Sequence, residues 1–219
     1  MATISVRRFD PERGGEPRLA AYEVPLEEGA TVLGALLYIY EAVDSSLAFR
    51  YGCRNVACGL CAVDVDGTSS LACTSPLMDG MVIRPLRRLP VARDLVVERD
   101  WIMPFLERFD LDPPAPAVGE SGWPSPVSVP EEHIRLSECT ECLICLATCP
   151  SYEHGRDDLG GPYHFVKLAQ MHWDPRNSLD RRAQAARLGI DRCASCQMCR
   201  CPLGVPIQRA AIAPLAARG

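Results

Sequence analysis

Lysine is all but missing from this 219-residue chain: Lys167 is the only one, and arginine carries the remaining positive charge. That bias is a codon-level preference and implies no function. A basic surplus is missing too. The net charge is −5, which gives no support to nucleic-acid binding, whose footprint is a positive surface. There is no long apolar run. The most apolar stretch, residues 32–40, ends at Glu41, well short of the ~20 residues a membrane-spanning helix needs. The N-terminus, Met1-Ala-Thr-Ile-Ser-Val-Arg-Arg, lacks the apolar core and small-residue cleavage site of a secretory signal. The chain is therefore expected in the cytoplasm, with no transmembrane segment of its own, meeting the inner face of a membrane only through a partner subunit. A phosphate loop, a dinucleotide fingerprint and a nucleophile motif are also missing; Gly14-Gly15 and Gly160-Gly161 read as turns.

Cysteine, by contrast, is abundant, with twelve residues. In a chain with no export signal, disulfides are a poor explanation, because the cytosol keeps thiols reduced. Metal ligation is the default, and the spacing identifies the metal.

The first hundred residues read as sheet-rich. Ile4-Ser5-Val6-Arg7 alternates, and 19–24 makes a second strand after the Gly14-Gly15 turn. Thr31 caps a helix carrying Val32, Leu36 and Ile39. Segments 61–65 and 70–74 flank Asp66-Gly67, a two-residue hairpin signal, and 81–84 and 90–97 are further strand candidates. Residues 110–130 hold six prolines and read as an extended linker, with Trp123 as a packing anchor. From 131 onward the pattern is helical, at 163–172, 179–188 and 205–217. The expected class is α+β, with a domain at 1–109, the linker at 110–130 and a helical domain at 131–219.

Cys53, Cys58, Cys61 and Cys73 follow C-x4-C-x2-C with a fourth cysteine after eleven intervening residues, the spacing of a plant-type 2Fe–2S cluster. A two-iron rhomb needs two thiolates per iron, so one loop wraps one side and a distant residue closes the other. The hairpin at Asp66-Gly67 returns Cys73. Gly52 and Gly59 suit a loop whose amides point at sulfur, since glycine tolerates positive φ. A zinc site is the alternative, but zinc sites pair C-x2-C units and the x4 step is atypical.

Cys139, Cys142, Cys145 and Cys149-Pro150 give the bacterial ferredoxin run, in which the fourth cysteine serves the other cluster. Cys193, Cys196, Cys199 and Cys201-Pro202 form the matching half. Cys139, Cys142, Cys145 and Cys201 are assigned to one 4Fe–4S cluster, and Cys149, Cys193, Cys196 and Cys199 to another. Three clusters of four ligands use all twelve cysteines. Only Arg200 separates Cys199 from Cys201, where three residues are usual. Cys145 to Cys149 is expected to be helical and Cys199 to Cys201 extended, because a two-residue extended step spans ~6.6 Å, about the reach of one helical turn.

This order of motifs resembles the iron–sulfur subunit of succinate dehydrogenase and fumarate reductase. Local matches extend beyond cysteine: Ala48-Phe49-Arg50, Leu71-Ala72-Cys73, Pro90-Val91, Arg93-Asp94-Leu95-Val96-Val97, Cys149-Pro150-Ser151 and Gly161-Pro162. The resemblance implies a β-grasp ferredoxin domain followed by an all-α ferredoxin domain. It implies a partner subunit with FAD, where succinate and fumarate interconvert, and a further redox or membrane-anchor partner. Two departures stand out. Most members lack a cysteine at the position of Cys196 and hold 3Fe–4S as the third cluster; with Cys196 present, 4Fe–4S is expected and 3Fe–4S is the alternative. Quinone-reactive members carry a tryptophan after Cys149-Pro150-Ser151, where this chain reads Tyr152-Glu153-His154. A histidine can hydrogen-bond a quinone carbonyl, but a charged Glu153 does not suit an apolar pocket.

His133, His154, His164 and His172 are not needed as ligands, because cysteine fills every cluster position. Arg50, Arg54 and Arg200 adjoin the loops, either tuning potentials or simply solvated. Asp157-Asp158 and Arg181-Arg182 read as exposed faces. The subunit is expected to relay single electrons and make no bonds itself. Alternatives are a flavoprotein or heterodisulfide-type reductase acting on another substrate, a free-standing polyferredoxin, or a zinc-binding scaffold.

Overall fold

The computed structural model describes residues 1–112, 122, 126–156 and 158–217. The middle of the expected linker, Trp123 and Asp157 lie outside the described residues. Strands are β1 (Ala2–Arg8), β2 (Arg18–Val24), β3 (Ala62–Val65), β4 (Thr68–Leu71), β5 (Val82–Arg84), β6 (Val91–Arg93) and β7 (Val96–Val97). Helices are α1 (Val32–Tyr38), α2 (Ile102–Arg108), α3 (Glu131–Ser137), α4 (Ile144–Ala147), α5 (Pro162–Trp173), α6 (Arg181–Arg187) and α7 (Ala213–Ala216). Two compact units result: Met1–Arg99 with Thr140–Thr148, and Asp100–Cys139 with Cys149–Gly219.

The first unit is built on a five-stranded sheet in the order β2-β1-β5-β3-β4. Alternation in β1 turns Ala2, Ile4 and Val6 inward, and Ile4 lies opposite Tyr22 on the antiparallel β2. β1 runs parallel to β5, which pairs antiparallel with β3. The β3–β4 hairpin turns where the sequence indicates, with φ of 50° at Asp66 and 84° at Gly67, the two left-handed residues such a turn needs. Ile4, Val6, Val24, Leu36, Ile39 and Ile83 form the core. Thr31 caps α1 by accepting the Gly34 N–H at 3.2 Å. Asp94 is buried and accepts from Arg8 Nε (3.0 Å), Phe9 N (2.8 Å) and Ala48 N (2.8 Å), so one carboxylate joins the end of β1, the approach to the cysteine loop and the β6–β7 hairpin. Segment Thr140–Thr148, with α4, belongs to this unit, and Arg99 Nη2 donates to Glu141 O at 3.0 Å.

Two elements differ from the sequence expectation. The strand after the hairpin ends at Leu71, and Thr74 N bonds back to Leu71 O at 3.0 Å, so Cys73 sits in a turn. Residues 90–97 split into β6 and β7 about Asp94, whose φ is 45°.

In the second unit α5 is the central helix, with Tyr163, Phe165, Val166, Leu168 and Ala169 buried. Pro162 opens it at a position where a missing N–H costs nothing. Asp180 caps α6 through the Arg182 and Ala183 amides. The last helical stretch begins later than expected, as a π turn at Ile207–Ile212 running into α7, and Trp173 Nε1 donates to Ala210 O at 2.8 Å. Arg181 corrects the reading of the Arg181-Arg182 pair. Its side chain is buried and donates to Phe109 O (2.7 Å) and Asp110 O (3.0 Å), satisfying carbonyls at the end of α2, while Arg182 is exposed. No helix among the described residues is long and apolar enough to cross a membrane.

Candidate metal centres

Local hydrogen bonding builds the first cysteine group. Cys53 N donates to Cys58 Sγ at 3.4 Å, and Cys58 N and Asn55 N donate to Cys53 Sγ at 3.2 and 3.4 Å. The loop amides thus point at sulfur. The Asn55 amide leads in bringing the Cys53 thiol down to about 7, toward thiolate at neutral pH. Positive φ occurs at Gly59 (67°), as the sequence suggests, but also at Arg54 (60°) and Val56 (72°), and not at Gly52. A β-branched residue in that region is strained. A Cβ at Gly52 would lie 3.2 Å from Leu60 Cδ1 and 3.4 Å from Cys58 Sγ, a tight fit that the Leu60 side chain would have to yield to.

Cys73 is placed by α1. The otherwise unpaired first amides of the helix donate to the turn that carries it, Val32 N to Ser75 O and Leu33 N to Ala72 O, both at 2.9 Å. Ala72 N in turn donates to Cys61 O at 2.9 Å. Cys61 and Cys73 therefore face one another. Burial pushes the Cys61 thiol up to about 11, and the neighbouring Cys73 and Cys58 add to the rise.

In the second unit Cys149, Cys193, Cys196 and Cys199 share one electrostatic neighbourhood. Burial first, then the charges of Cys149 and Cys196, push Cys193 up to about 11. Burial, then Cys193, Cys149 and Cys196, push Cys199 up to about 12. Groups so placed would ionise at neutral pH only beside a compensating cation, and the four-sulfur donor set fits an iron cluster. Cys145 lies on α4, with Thr148 still helical, whereas the backbone from Cys199 to Cys201 carries no helix. Cys142 is buried, and Cys139 and Cys201 are half-buried. Among the described residues no three histidine, cysteine or acidic side chains close on a single-ion position. A multi-iron cluster does not require one, because each iron takes only one or two of the protein's sulfurs.

The histidines have other partners. His133 Nδ1 lies 2.9 Å from Gln170 O, His154 Nδ1 lies 3.2 Å from the Tyr152 hydroxyl, and His164 Nδ1 accepts the Gly161 N–H at 3.1 Å. His172 packs edge-on to Trp173. Arg50, Arg54 and Arg200 are exposed, and Arg54 lies 5.4 Å from the centre of the Tyr51 ring.

Two family models match in series: a 2Fe-2S iron-sulfur cluster binding domain over residues 3–104, and a 4Fe-4S dicluster domain over 135–205. The fumarate reductase iron-sulfur subunit of Mycobacterium tuberculosis is 34% identical over 218 residues, covering 92% of this chain and 86% of that protein. The chain belongs to the fumarate reductase/succinate dehydrogenase iron–sulfur subunit family. A fumarate reductase (CoM/CoB) subunit of Methanothermobacter marburgensis is 33% identical over 94% of the chain. The chain spans about two fifths of the length of that relative, and of an iron-sulfur protein of Methanocaldococcus jannaschii that is 37% identical (42% and 43%). A chain of the Mycobacterium smegmatis Sdh1 complex shares the fold, with a TM-score of 0.76 at 24% identity, over 98% of this chain and 93% of that one.

Proposed function

We propose that the chain is the electron-transfer subunit of a succinate dehydrogenase/fumarate reductase-type complex, relaying single electrons between an FAD-containing flavoprotein subunit and a second redox partner. In this reading the first domain, 1–109, is a β-grasp ferredoxin domain and the second, 131–219, a helical ferredoxin domain, joined by 110–130. Cys53, Cys58, Cys61 and Cys73 hold 2Fe–2S. Cys139, Cys142, Cys145 and Cys201 hold one 4Fe–4S, and Cys149, Cys193, Cys196 and Cys199 hold the other. When bound, such clusters accept and release one electron at a time. The chain's own residues hold the irons, aim amides at the Cys53 sulfur and shield Cys61 and Cys193 from water.

The observation that carries the reading is the convergence of the Cys149, Cys193, Cys196 and Cys199 thiols in the second unit, with Cys53, Cys58, Cys61 and Cys73 converging in the first. Tyr51 and Leu60, 42% and 36% exposed beside the first loop, suit a site where another subunit docks. Any membrane contact of this cytoplasmic subunit comes through a partner. A second reading, electron exchange with a thiol–disulfide site instead of a quinone, is favoured by Glu153 and by the likeness to the CoM/CoB fumarate reductase. Anaerobic co-purification tests the proposal. A flavin-bearing subunit should accompany the chain, which should carry roughly ten irons, two plus four plus four. A stable, fully loaded monomer with no flavin partner, or zinc in place of iron, overturns it.

A further inference from the structure

The Thr140 Oγ1 is buried and has no hydrogen-bond partner among the described residues. It belongs to the first unit and presses on the backbone between Cys58 and Cys61: a Cβ at Gly59 would lie 2.5 Å from Thr140 Oγ1, 3.0 Å from Thr140 O and 2.8 Å from Cys142 Cβ. Only a glycine lets the two segments meet this closely. The segment is held there by the Arg99 bond to Glu141 O at 3.0 Å, and by left-handed backbone at Glu141 (φ 57°) and Leu143 (φ 65°). A threonine hydroxyl is a donor as well as an acceptor, and a buried one rarely goes unpaired. No acceptor among the described residues serves it, and the loop it presses on is the one proposed to wrap the anionic sulfurs of the first cluster.

We infer that the Thr140 hydroxyl donates to a sulfur of the first cluster, through the gap that Gly59 leaves, making Thr140 a positioning residue for that cluster's reduction potential. The inference rests on the proposed two-iron ligand set. Reduction adds negative charge to the sulfurs, so a donor strengthens its bond on reduction and raises the potential. Neither sequence motif nor cysteine spacing marks this residue; it emerges from the close approach at Gly59.

Potentiometric titration of the whole chain in its complex, followed by electron paramagnetic resonance, tests it. Thr140→Val removes the hydroxyl at nearly constant size. It should keep the two-iron signal and full iron content, while the reduced-to-oxidised ratio at a fixed potential falls roughly tenfold, about 59 mV for a one-electron couple. Thr140→Ala should move the midpoint the same way, and Thr140→Ser should restore it. An unmoved midpoint in both hydroxyl-free variants, an equal shift in the serine variant, or a shift confined to a four-iron signal overturns the role of Thr140 and leaves the ligand set standing. Absence of any two-iron signal from the wild type overturns the ligand set, and the inference with it.

Discussion

Cys196 is the residue on which the proposed identity of the third cluster turns, because the family resemblance implies 3Fe–4S where that position is not cysteine. Its charge acts on both Cys193 and Cys199, so it faces the same space as the other three thiols. On the proposed ligand set, replacing Cys196 with Ala would leave one cubane corner without a protein ligand. The expected product is a 3Fe–4S cluster, seen as loss of about one iron in roughly ten and as a new signal from the oxidised protein, with the other two clusters unchanged. Unchanged iron content with no new signal would show that Cys196 is not a ligand. At this scale the sequence marks the cysteines by their spacing, because ligand spacing is set by cluster size. Local sequence says little about residues whose role depends on distant partners. Arg181 and Arg182 look alike in the chain, yet Arg181 is buried on carbonyls some seventy positions away, while Arg182 faces water. Val56 and Arg54 take the conformation that propensity reserves for glycine, because the loop has to aim its amides at sulfur.

At the scale of elements, strands and helices with strong local signals sit where alternation, capping and turn chemistry put them: β1, β2, α1 and the Asp66-Gly67 hairpin. The hidden information lies in what joins them. Nothing local says that α1 fixes Cys73 through Ala72 and Ser75, since the helix and the turn are forty residues apart. The start of α5 is a clearer case of one element carrying its own consequence. His164 reaches back to the Gly161 amide, closing the helix start much as a capping-box side chain does, and lies among Trp101, Phe105, Tyr152 and Tyr163. Burial pushes its imidazole down to about 3. The folded ring stays neutral while the unfolded one titrates near 6.5, so below about 6.5 the unfolded state binds more protons. Stability therefore falls as pH falls from about 6.5 toward 3, by at most about 1.4 kcal/mol per pH unit from this group. Since clusters are themselves acid-labile, the measurement is a difference: denaturant unfolding of wild type and His164→Gln between pH 5 and 8. The wild type should lose stability faster on the acid side. Parallel curves would mean that His164 is not neutral in the fold.

Across the whole molecule, the two units rest on different kinds of support. The first has a continuous sheet with an apolar core of its own, so much of its stability comes from buried hydrocarbon and ladder hydrogen bonds. In the second, a 3-10 turn at Ile190–Cys193 leads into backbone with no helix or strand until Ile207, and this stretch carries Cys193, Cys196, Cys199 and Cys201. Such a segment has few backbone bonds of its own to protect it, and iron ligation would be its main tether. Removing iron from the reduced protein with a chelator should therefore act unevenly. Amide hydrogen exchange should speed most in 190–206 and around Cys149, while β1, β2 and β5 keep much of their protection. The thiols left behind favour this outcome, since Cys193 and Cys199 are pushed up to about 11 and about 12 and would be protonated at neutral pH, ending their mutual repulsion but also their hold on any ion. Equal loss of protection in both units would mean that the sheet, too, depends on metal, and unchanged protection in 190–206 would mean that the segment is held by packing and not by ligation.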